Sequence, residues 1–238
     1  YLETALLSGI AATDWSWSSL FADFDQDGEQ DLFISNGISK RPNDLDFIKF
    51  ISNDQIQKKI DNTKLVDQEA LQMMPSGEAY NYMFKGSKNL EFEDKSGQWI
   101  SNKKGVSGAT ALGDLDNDGK IDILLGLENG TLIFYKNNSS SSSLIFASPV
   151  LNYTDNLGAV ISAGQYATPQ ILDLDYDGKL DLIVGKKTGE LIYYKNIGSL
   201  STPQFELTNP MLGNIDVSTL TPDGYPTPHF FRVQDTTY

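Results

Sequence analysis

A nine-residue acidic pattern, Asp-x-Asp-x-Asp-Gly-x-x-Asp, occurs three times in this chain of 238 residues. The copies read DFDQDGEQD at residues 23–31, DLDNDGKID at 114–122 and DLDYDGKLD at 173–181. Each last aspartate opens a short apolar run that is typical of a β-strand: DLFIS, DILLG or DLIVG. Carboxylates held this closely repel one another, so the pattern predicts a cation at each of three strand-connecting loops.

The second and third acidic patterns belong to a longer internal repeat with a period of 59 residues. Over that offset GKIDILLGLENGTLIFYKN aligns without a gap with GKLDLIVGKKTGELIYYKN. The first pattern lies 91 residues before the second, and the additional length falls at about residues 41–76. A further copy of the later half-repeat, NYMFKGSKNLEFED, belongs to the first unit. Repetition of this kind indicates structural units that stack on one another.

Each unit reads as four short β-strands joined by turns rich in Gly, Asn and Ser. The first two strands flank the acidic loop, and TLIFYKN or ELIYYKN supplies the third. The fourth is SLIFAS at residues 143–148 in the second unit and PQFEL at 203–207 in the third. Units of four strands at fixed spacing predict an all-β fold built from β-propeller blades.

The predicted units are residues 1–104, 105–163 and 164–222, and residues 223–238 are the start of a further, degenerate or truncated blade. Propellers typically have about 4 to 8 blades. We therefore expect a partial propeller of a larger chain, whose first and last blades expose apolar residues on their open side faces.

The additional length in the first unit predicts a helical insert at about residues 43–74. Asn43 or Asp44 can cap a helix on which Leu45, Ile48 and Ile51 share one face. A second helix can begin at Asn53 or Asp54, and VDQEALQMM can form a third. We interpret the insert as a cover for one rim of the blades, and the alternative is a lid or docking element.

The acidic pattern has the spacing of a calcium-binding loop. Aspartates at its first, third and fifth positions can converge if the chain bends sharply, and the glycine at the sixth position permits that bend. The seventh residue offers its backbone carbonyl, and the ninth aspartate closes the set. Oxygen ligands in a flexible loop favour Ca²⁺ over Mg²⁺ or a transition metal. The alternative is three acidic turns without metal.

Three calcium sites are therefore expected, one in each loop. An EF-hand is excluded because its twelfth position needs glutamate, where this chain has Ile34, Leu125 and Val184. The candidate ligands are Asp23, Asp25, Asp27, Glu29 and Asp31 in the first loop, Asp114, Asp116, Asp118, Lys120 and Asp122 in the second, and Asp173, Asp175, Asp177, Lys179 and Asp181 in the third.

The acidic loop between two β-strands, repeated at about 60 residues, resembles the FG-GAP/VCBS repeat of calcium-bound β-propellers such as integrin α-subunits. The stretches DWSWSSLFADFDQDGEQDLFISNGI and NYMFKGSKNLEFEDKSGQW resemble more narrowly the bacterial branch related to cartilage acidic proteins. The resemblance covers roughly residues 13–231 and implies that the four aspartates of each loop ligate one ion. The Phe-Gly and Gly-Ala-Pro signatures of the family are not clearly written, and the fourth unit has RVQDTT where an acidic loop is due.

Composition excludes several kinds of partner and site. The net charge of −14 argues against nucleic acid, which binds to basic surfaces. The absence of cysteine excludes disulfides and thiolate chemistry, and one histidine is too few for a His-rich zinc site. A transmembrane helix needs about 20 consecutive apolar residues, and no apolar run in this chain approaches that length.

Together with the FG-GAP/VCBS resemblance, which implies the location and the role, the sequence predicts a calcium-stabilised β-propeller segment of a secreted or cell-surface protein, at a bacterial outer-membrane surface or outside the cell, that acts in ligand recognition or adhesion. We do not expect an enzyme, because a single histidine disfavours a catalytic triad and most acids belong to the loops. Expected partners are a protein or glycan ligand, or other subunits of a surface assembly. The alternatives are a supporting propeller of a carbohydrate-active enzyme and a structural component of a surface assembly.

Overall fold

The computed structural model describes residues 4–53, 72–100, 103–139, 146–218 and 223–230. Within these ranges twelve strands form three four-stranded antiparallel sheets, each in sequence order from its first strand to its fourth. The first sheet contains β1 (Ser16–Ala22), β2 (Asp31–Asn36), β3 (Tyr82–Gly86) and β4 (Phe92–Asp94). The second contains β5 (Ser107–Gly113), β6 (Asp122–Leu127), β7 (Leu132–Tyr135) and β8 (Val150–Leu151). The third contains β9 (Thr168–Leu172), β10 (Asp181–Gly185), β11 (Leu191–Asn196) and β12 (Phe205–Asn209).

The predicted all-β architecture of repeated four-stranded units is confirmed, and one strand assignment needs correction. The predicted fourth strand of the second sheet is SLIFAS, of which residues 143–145 lie outside the described residues; the strand described at this edge is Val150–Leu151, paired with β7. Phe146 forms only an isolated bridge to Asn137. The register shifts by one residue between the Asn137–Phe146 bridge and the pairing of Phe134 with Val150, so the two pairings do not form one continuous strand.

Each acidic loop connects the first strand of a sheet to the second. The last aspartate of each pattern is the first residue of the second strand and pairs with the last residue of the first strand. These pairs are Ala22 with Asp31, Gly113 with Asp122, and Leu172 with Asp181. The common register places all three loops at the same end of their sheets. Gln26 Nε2 in the first loop donates to the carbonyl of Gly119 in the second at 2.6 Å, so these two loops are neighbours.

The sheets pack face to face, which explains the continuous apolar runs after the acidic loops. Leu124 of β6 lies in a core with residues of the third sheet, including Leu182. Its neighbours in sequence, Ile123 and Leu125, lie in a core with Phe33 of the first sheet. Successive side chains of a strand point to opposite faces, so a strand between two sheets must be apolar at every position.

The side faces of the first and last sheets are covered in part, and the expected exposure of apolar residues holds for Phe21, which lies opposite Leu32 on the first sheet and is 55% exposed. On the first sheet Leu32 and Phe84 are buried, with Ile10 packed against them. On the third sheet Ile183 is buried, with Leu212 and Phe230 packed against its core. Segments before the first sheet and after the third sheet supply this cover. That the three sheets are blades of a partial propeller stays a prediction.

The helical insert is confirmed at its start, and Gln72 and Met73 near its end are also helical. Asp44 caps helix α1 (Leu45–Ile51), and its Oδ1 accepts hydrogen bonds of 3.0 Å from the backbone N–H groups of Asp46 and Phe47. The predicted apolar face is wrong, because Phe47 is the buried residue and Leu45 is 71% exposed. The predicted second helix and most of the third lie outside the described residues.

Two further short helices complete the described elements: α2 (Ser96–Trp99) and a 3₁₀-helix at Leu212–Asn214. None of the helices in the described ranges is long and apolar enough to cross a membrane.

Residues 223–230 repeat the contact that the third sheet makes with the second. The N–H of Tyr166 donates to the carbonyl of Glu128 at 2.8 Å, and 59 residues later Tyr225 donates to Lys187 at 3.2 Å. A Cβ on Gly126 would lie 2.0 Å from the carbonyl oxygen of Ala167, and one on Gly185 would lie 2.2 Å from that of Pro226. These contacts agree with a fourth unit starting here, and its remaining part, including RVQDTT, lies outside the described residues.

Candidate metal centre

The three acidic loops share one backbone conformation. In each loop the fourth and sixth residues have positive φ, and the sixth is glycine, which adopts such angles without strain. The fourth residues are Gln26 (φ 59°), Asn117 (φ 55°) and Tyr176 (φ 63°), and the sixth are Gly28 (φ 92°), Gly119 (φ 84°) and Gly178 (φ 86°). A Cβ at these glycines would meet nothing within 4 Å, so the backbone angle rather than crowding requires glycine.

The first aspartate of each pattern holds the turn closed. In the second loop Asp114 Oδ1 accepts from the N–H of Asp118 at 2.9 Å, and its Oδ2 accepts from the N–H of Gly119 at 2.9 Å. Asp23 and Asp173 accept the same two hydrogen bonds in their own loops, at 2.9 to 3.1 Å. The first carboxylate is therefore oriented into the loop before any ion binds.

The aspartate at the ninth position of each pattern, called the ninth aspartate below, is fully buried. It joins the loop to the third strand. Asp122 accepts from the N–H of Leu115 at 3.0 Å and from that of Asn137 at 2.8 Å. Asp31 and Asp181 bond in the same way, to Gly86 and Asn196 on the third-strand side. Burial raises the pKa of Asp31 and of Asp122 to about 6. A cation beside these carboxylates would favour their ionised form.

The loops bring carboxylates together much as the pattern predicts. Three aspartates in each loop have oxygen atoms within 4.8 Å of one another. These groups are Asp23, Asp25 and Asp27 in the first loop, Asp114, Asp116 and Asp122 in the second, and Asp173, Asp175 and Asp181 in the third. Asp31, Asp118 and Asp177 lie outside these tight groups, and they belong to the same loops.

The seventh residue of each loop is held next to the fifth. The N–H of Glu29 donates to Asp27 Oδ1 at 2.9 Å, and Lys120 and Lys179 donate likewise to Asp118 and Asp177. In the second and third loops the seventh side chain also pairs with the fifth carboxylate, at 3.2 Å for Lys120 and 3.3 Å for Lys179. That their carbonyls ligate an ion stays a prediction.

Three lysines that the sequence analysis did not assign to the site reach into the loops. Lys85, Lys136 and Lys195 each pair with the aspartate at the third position of the acidic pattern in the same sheet: Asp25, Asp116 and Asp175. A signal for them exists in the sequence, because Lys136 and Lys195 align at the repeat offset and Lys85 has the same place in the half-repeat NYMFKG.

The chemistry of the donors fits a calcium ion. All of the converging side chains offer carboxylate oxygen, which hard cations prefer. One of these oxygens, Oδ1 of Asp116, is buried and accepts no hydrogen bond from the described residues. A buried acceptor without a partner is costly, and a cation would satisfy it. The buried strand residues Ile34, Leu125 and Val184 at the twelfth positions confirm that the loops are not EF-hands.

A second feature lies away from the loops, where the first strands of the three sheets meet. A groove of about 1110 Å³ is lined by β1, β5 and β9 and by part of residues 225–229. Among its described lining residues there is no aspartate or glutamate, although the chain contains 32 of them. Trp17 lines the groove and is 55% exposed.

Aromatic residues surround one end of this groove. The rings of Tyr166 and Tyr225 pack edge to face with centroids 5.4 Å apart. Lys187 Nζ lies 5.7 Å from each ring centroid. Tyr166 also donates a hydrogen bond of 3.0 Å to Glu128.

Comparison with known protein families agrees with this geometry. Residues 114–184 match the family model described as FG-GAP-like repeat. The match spans the second and third acidic loops and the β-strands between them, and it supports the FG-GAP family for this repeat. No curated protein matches the chain.

Proposed function

We propose that this chain is a non-catalytic, calcium-stabilised β-propeller module of a secreted or cell-surface protein, and that it recognises a protein or glycan ligand. The observation that carries the proposal is the threefold recurrence of one acidic loop, with the same register and hydrogen bonds, in three consecutive sheets. FG-GAP-like repeats are typically structural modules of surface proteins, and residues 114–184 match their model. The narrower relation to the bacterial branch is part of the proposal.

Each ion would be held by the four aspartates of one loop and the carbonyl of its seventh residue. The first aspartate is already oriented by backbone N–H groups, as in Asp114. The ion would neutralise like charges that the fold places together, and it would thereby stabilise the connection between the first two strands of each sheet. The role proposed for the ion is structural.

Recognition is proposed at the groove between β1, β5 and β9. Its lining lacks carboxylates in the described residues, and hydroxyl groups, apolar side chains and the exposed ring of Trp17 lie along it. Aromatic rings beside hydrogen-bonding groups suit both glycans and peptide side chains.

Metal content tests the first part of the proposal. The protein is dialysed against chelator and then against millimolar Ca²⁺, and bound calcium is measured by elemental mass spectrometry. We expect three ions per chain, since the structure has three such loops. A value near zero would overturn the calcium assignment.

Ligand binding tests the second part. The calcium-loaded protein is screened on glycan and protein arrays, and hits are repeated with Trp17→Ala and with Phe21→Ala. Both side chains lie on β1 and are 55% exposed, but only Trp17 lines the groove. We expect only Trp17→Ala to lose binding. Equal binding by both variants would exclude the groove, and turnover of a polysaccharide would favour the alternative of a carbohydrate-active protein.

A further inference from the structure

Each acidic loop holds a lysine ammonium group from the third strand of its sheet. Lys85 lies in β3, Lys136 directly follows β7, and Lys195 lies in β11. We call these three residues the tethered lysines. Each pairs with the aspartate at the third position of its loop and approaches the aspartate at the fifth position. The distances to the aspartate at the fifth position are 2.5 Å from Lys85 to Asp27, 3.7 Å from Lys136 to Asp118, and 3.3 Å from Lys195 to Asp177.

The position of each tethered lysine is fixed by its backbone. The next residue in the chain donates its N–H to the buried ninth aspartate: Gly86 to Asp31, Asn137 to Asp122, and Asn196 to Asp181. Because the ninth aspartate begins the second strand, the backbone of the lysine cannot move away from the loop without disrupting the sheet. Only its side chain is free to change conformation.

The two oxygens of the aspartate at the third position have different partners. In Asp116, Oδ2 pairs with Lys136, while Oδ1 is buried and has no partner among the described residues. In Asp25 and Asp175, Oδ2 likewise pairs with lysine, while Oδ1 accepts only a long hydrogen bond of 3.3 or 3.2 Å from the fifth residue. One oxygen of each carboxylate therefore holds the ammonium group, and the other has at most one hydrogen bond among the described residues.

This arrangement has opposite effects on the empty and the loaded loop. In the empty loop the ammonium group neutralises part of the charge of four aspartates and lowers their mutual repulsion. In the loaded loop the same group lies beside a divalent cation and repels it. Resting on the calcium sites proposed above, we infer that the tethered lysines are built-in counter-cations, which stabilise the metal-free loops and weaken calcium binding to them.

The test measures calcium binding to each loop separately, in the intact chain, by NMR. The backbone amide resonances of Gly28, Gly119 and Gly178 report the first, second and third loops, because each N–H donates to the first aspartate of its own loop. Calcium titrations are compared for the wild type, Lys136→Met and Lys136→Arg. Lys49→Met is the control for loss of one charge, since Lys49 pairs only with exposed Asp46 on α1.

We expect Lys136→Met to shift the Gly119 midpoint to a calcium concentration roughly threefold to tenfold lower, as for one partly screened charge beside a divalent ion. The Gly28 and Gly178 midpoints should stay unchanged, and Lys136→Arg should keep the wild-type midpoint. In chelator, Lys136→Met should melt below Lys49→Met.

The outcomes separate this inference from the calcium proposal. If no glycine resonance of the wild type responds to calcium, the calcium sites themselves are refuted. If the wild type responds but Lys136→Met keeps or raises the Gly119 midpoint, the lysine is not a counter-cation. Should Lys136→Met be unfolded in chelator, folding upon addition of calcium supports the inference, and failure to fold in saturating calcium overturns it.

Discussion

The backbone N–H of Asn137 donates a hydrogen bond of 2.8 Å to Oδ1 of Asp122, and this contact joins the acidic loop to the third strand of its sheet. Asn196 and Asp181 make the same contact at 2.8 Å in the next sheet. The ninth aspartate of the pattern therefore has two tasks: it closes the loop and it aligns three strands. This dual role explains why the residue is fully buried although it is charged.

The loops should bind their ions independently. Asp116→Ala removes one of the converging carboxylates of the second loop, and each repeat mainly contacts its neighbours. We expect the calcium content to fall from three ions to two, measured by elemental mass spectrometry after dialysis. Asp46→Ala, which removes an exposed aspartate on α1, should keep three ions. Loss of all three ions in Asp116→Ala would show that the sites are coupled.

The side-chain charge at the seventh position should influence the calcium affinity of each loop, with a positive charge weakening it. The first loop has Glu29 there, whereas the other two have lysines that pair with the fifth carboxylate. Glu29→Lys changes the local charge by two units and leaves the backbone carbonyl in place. We expect calcium binding to the first loop to weaken by about tenfold, measured from the Gly28 amide resonance.

The control for this variant is Glu78→Lys. Glu78 follows Gly77, which forms a β-bridge with Ile38. Ile38 lies just after the last residue of β2, whereas the acidic loop precedes the first residue of that strand. The same charge change at that end should leave the Gly28 midpoint nearly unchanged. If both variants weaken binding equally, net charge rather than local pairing sets the affinity.

Close contact between the second and third sheets should make Gly126 intolerant of a side chain. A Cβ there would lie 2.0 Å from the carbonyl oxygen of Ala167, which is backbone and cannot rotate away. We expect Gly126→Ala to lower the free energy of unfolding by about 2 kcal/mol or more. Denaturant unfolding in saturating calcium measures this change.

Gly108 provides the matched control, since it lies on β5 beside Gly126 and a Cβ there would meet nothing within 4 Å. We expect Gly108→Ala to change the free energy of unfolding by at most about 1 kcal/mol, in the stabilising direction. Equal destabilisation by the two variants would mean that the contact between the sheets does not depend on close backbone approach.

The local pattern of residue types and spacing in the sequence was sufficient to predict the repeated part of the fold. The acidic loops, the buried strands that follow them and the cap of α1 at Asp44 could be read from residue type and spacing, because neighbouring residues determine them. The buried face of α1 could not, since it depends on what lies against Phe47 rather than on the spacing of Leu45 and Ile48. The packing of Ile10 and Phe230 on the outer sheets could not be predicted either, because both residues are distant in sequence from the strands that they contact.

The tethered lysines show a different limit. Lys136 and Lys195 align in the repeat, but a lysine at the end of a strand is normally a solvated residue. Its role becomes visible only when the hairpin returns to the loop and places Lys136 beside Asp116. Alignment of repeats can therefore point to such residues, while the fold is needed to give them a function.

The central claim is that calcium holds the three loops together, and thermal unfolding tests it most directly. Three ions would change the formal charge from −14 to −8, because each adds two positive charges. Removal of the ions leaves clustered carboxylates that only the lysines neutralise. Differential scanning calorimetry in millimolar Ca²⁺ and in excess chelator should therefore show a lower melting temperature in chelator. An identical melting temperature in both conditions would contradict the account.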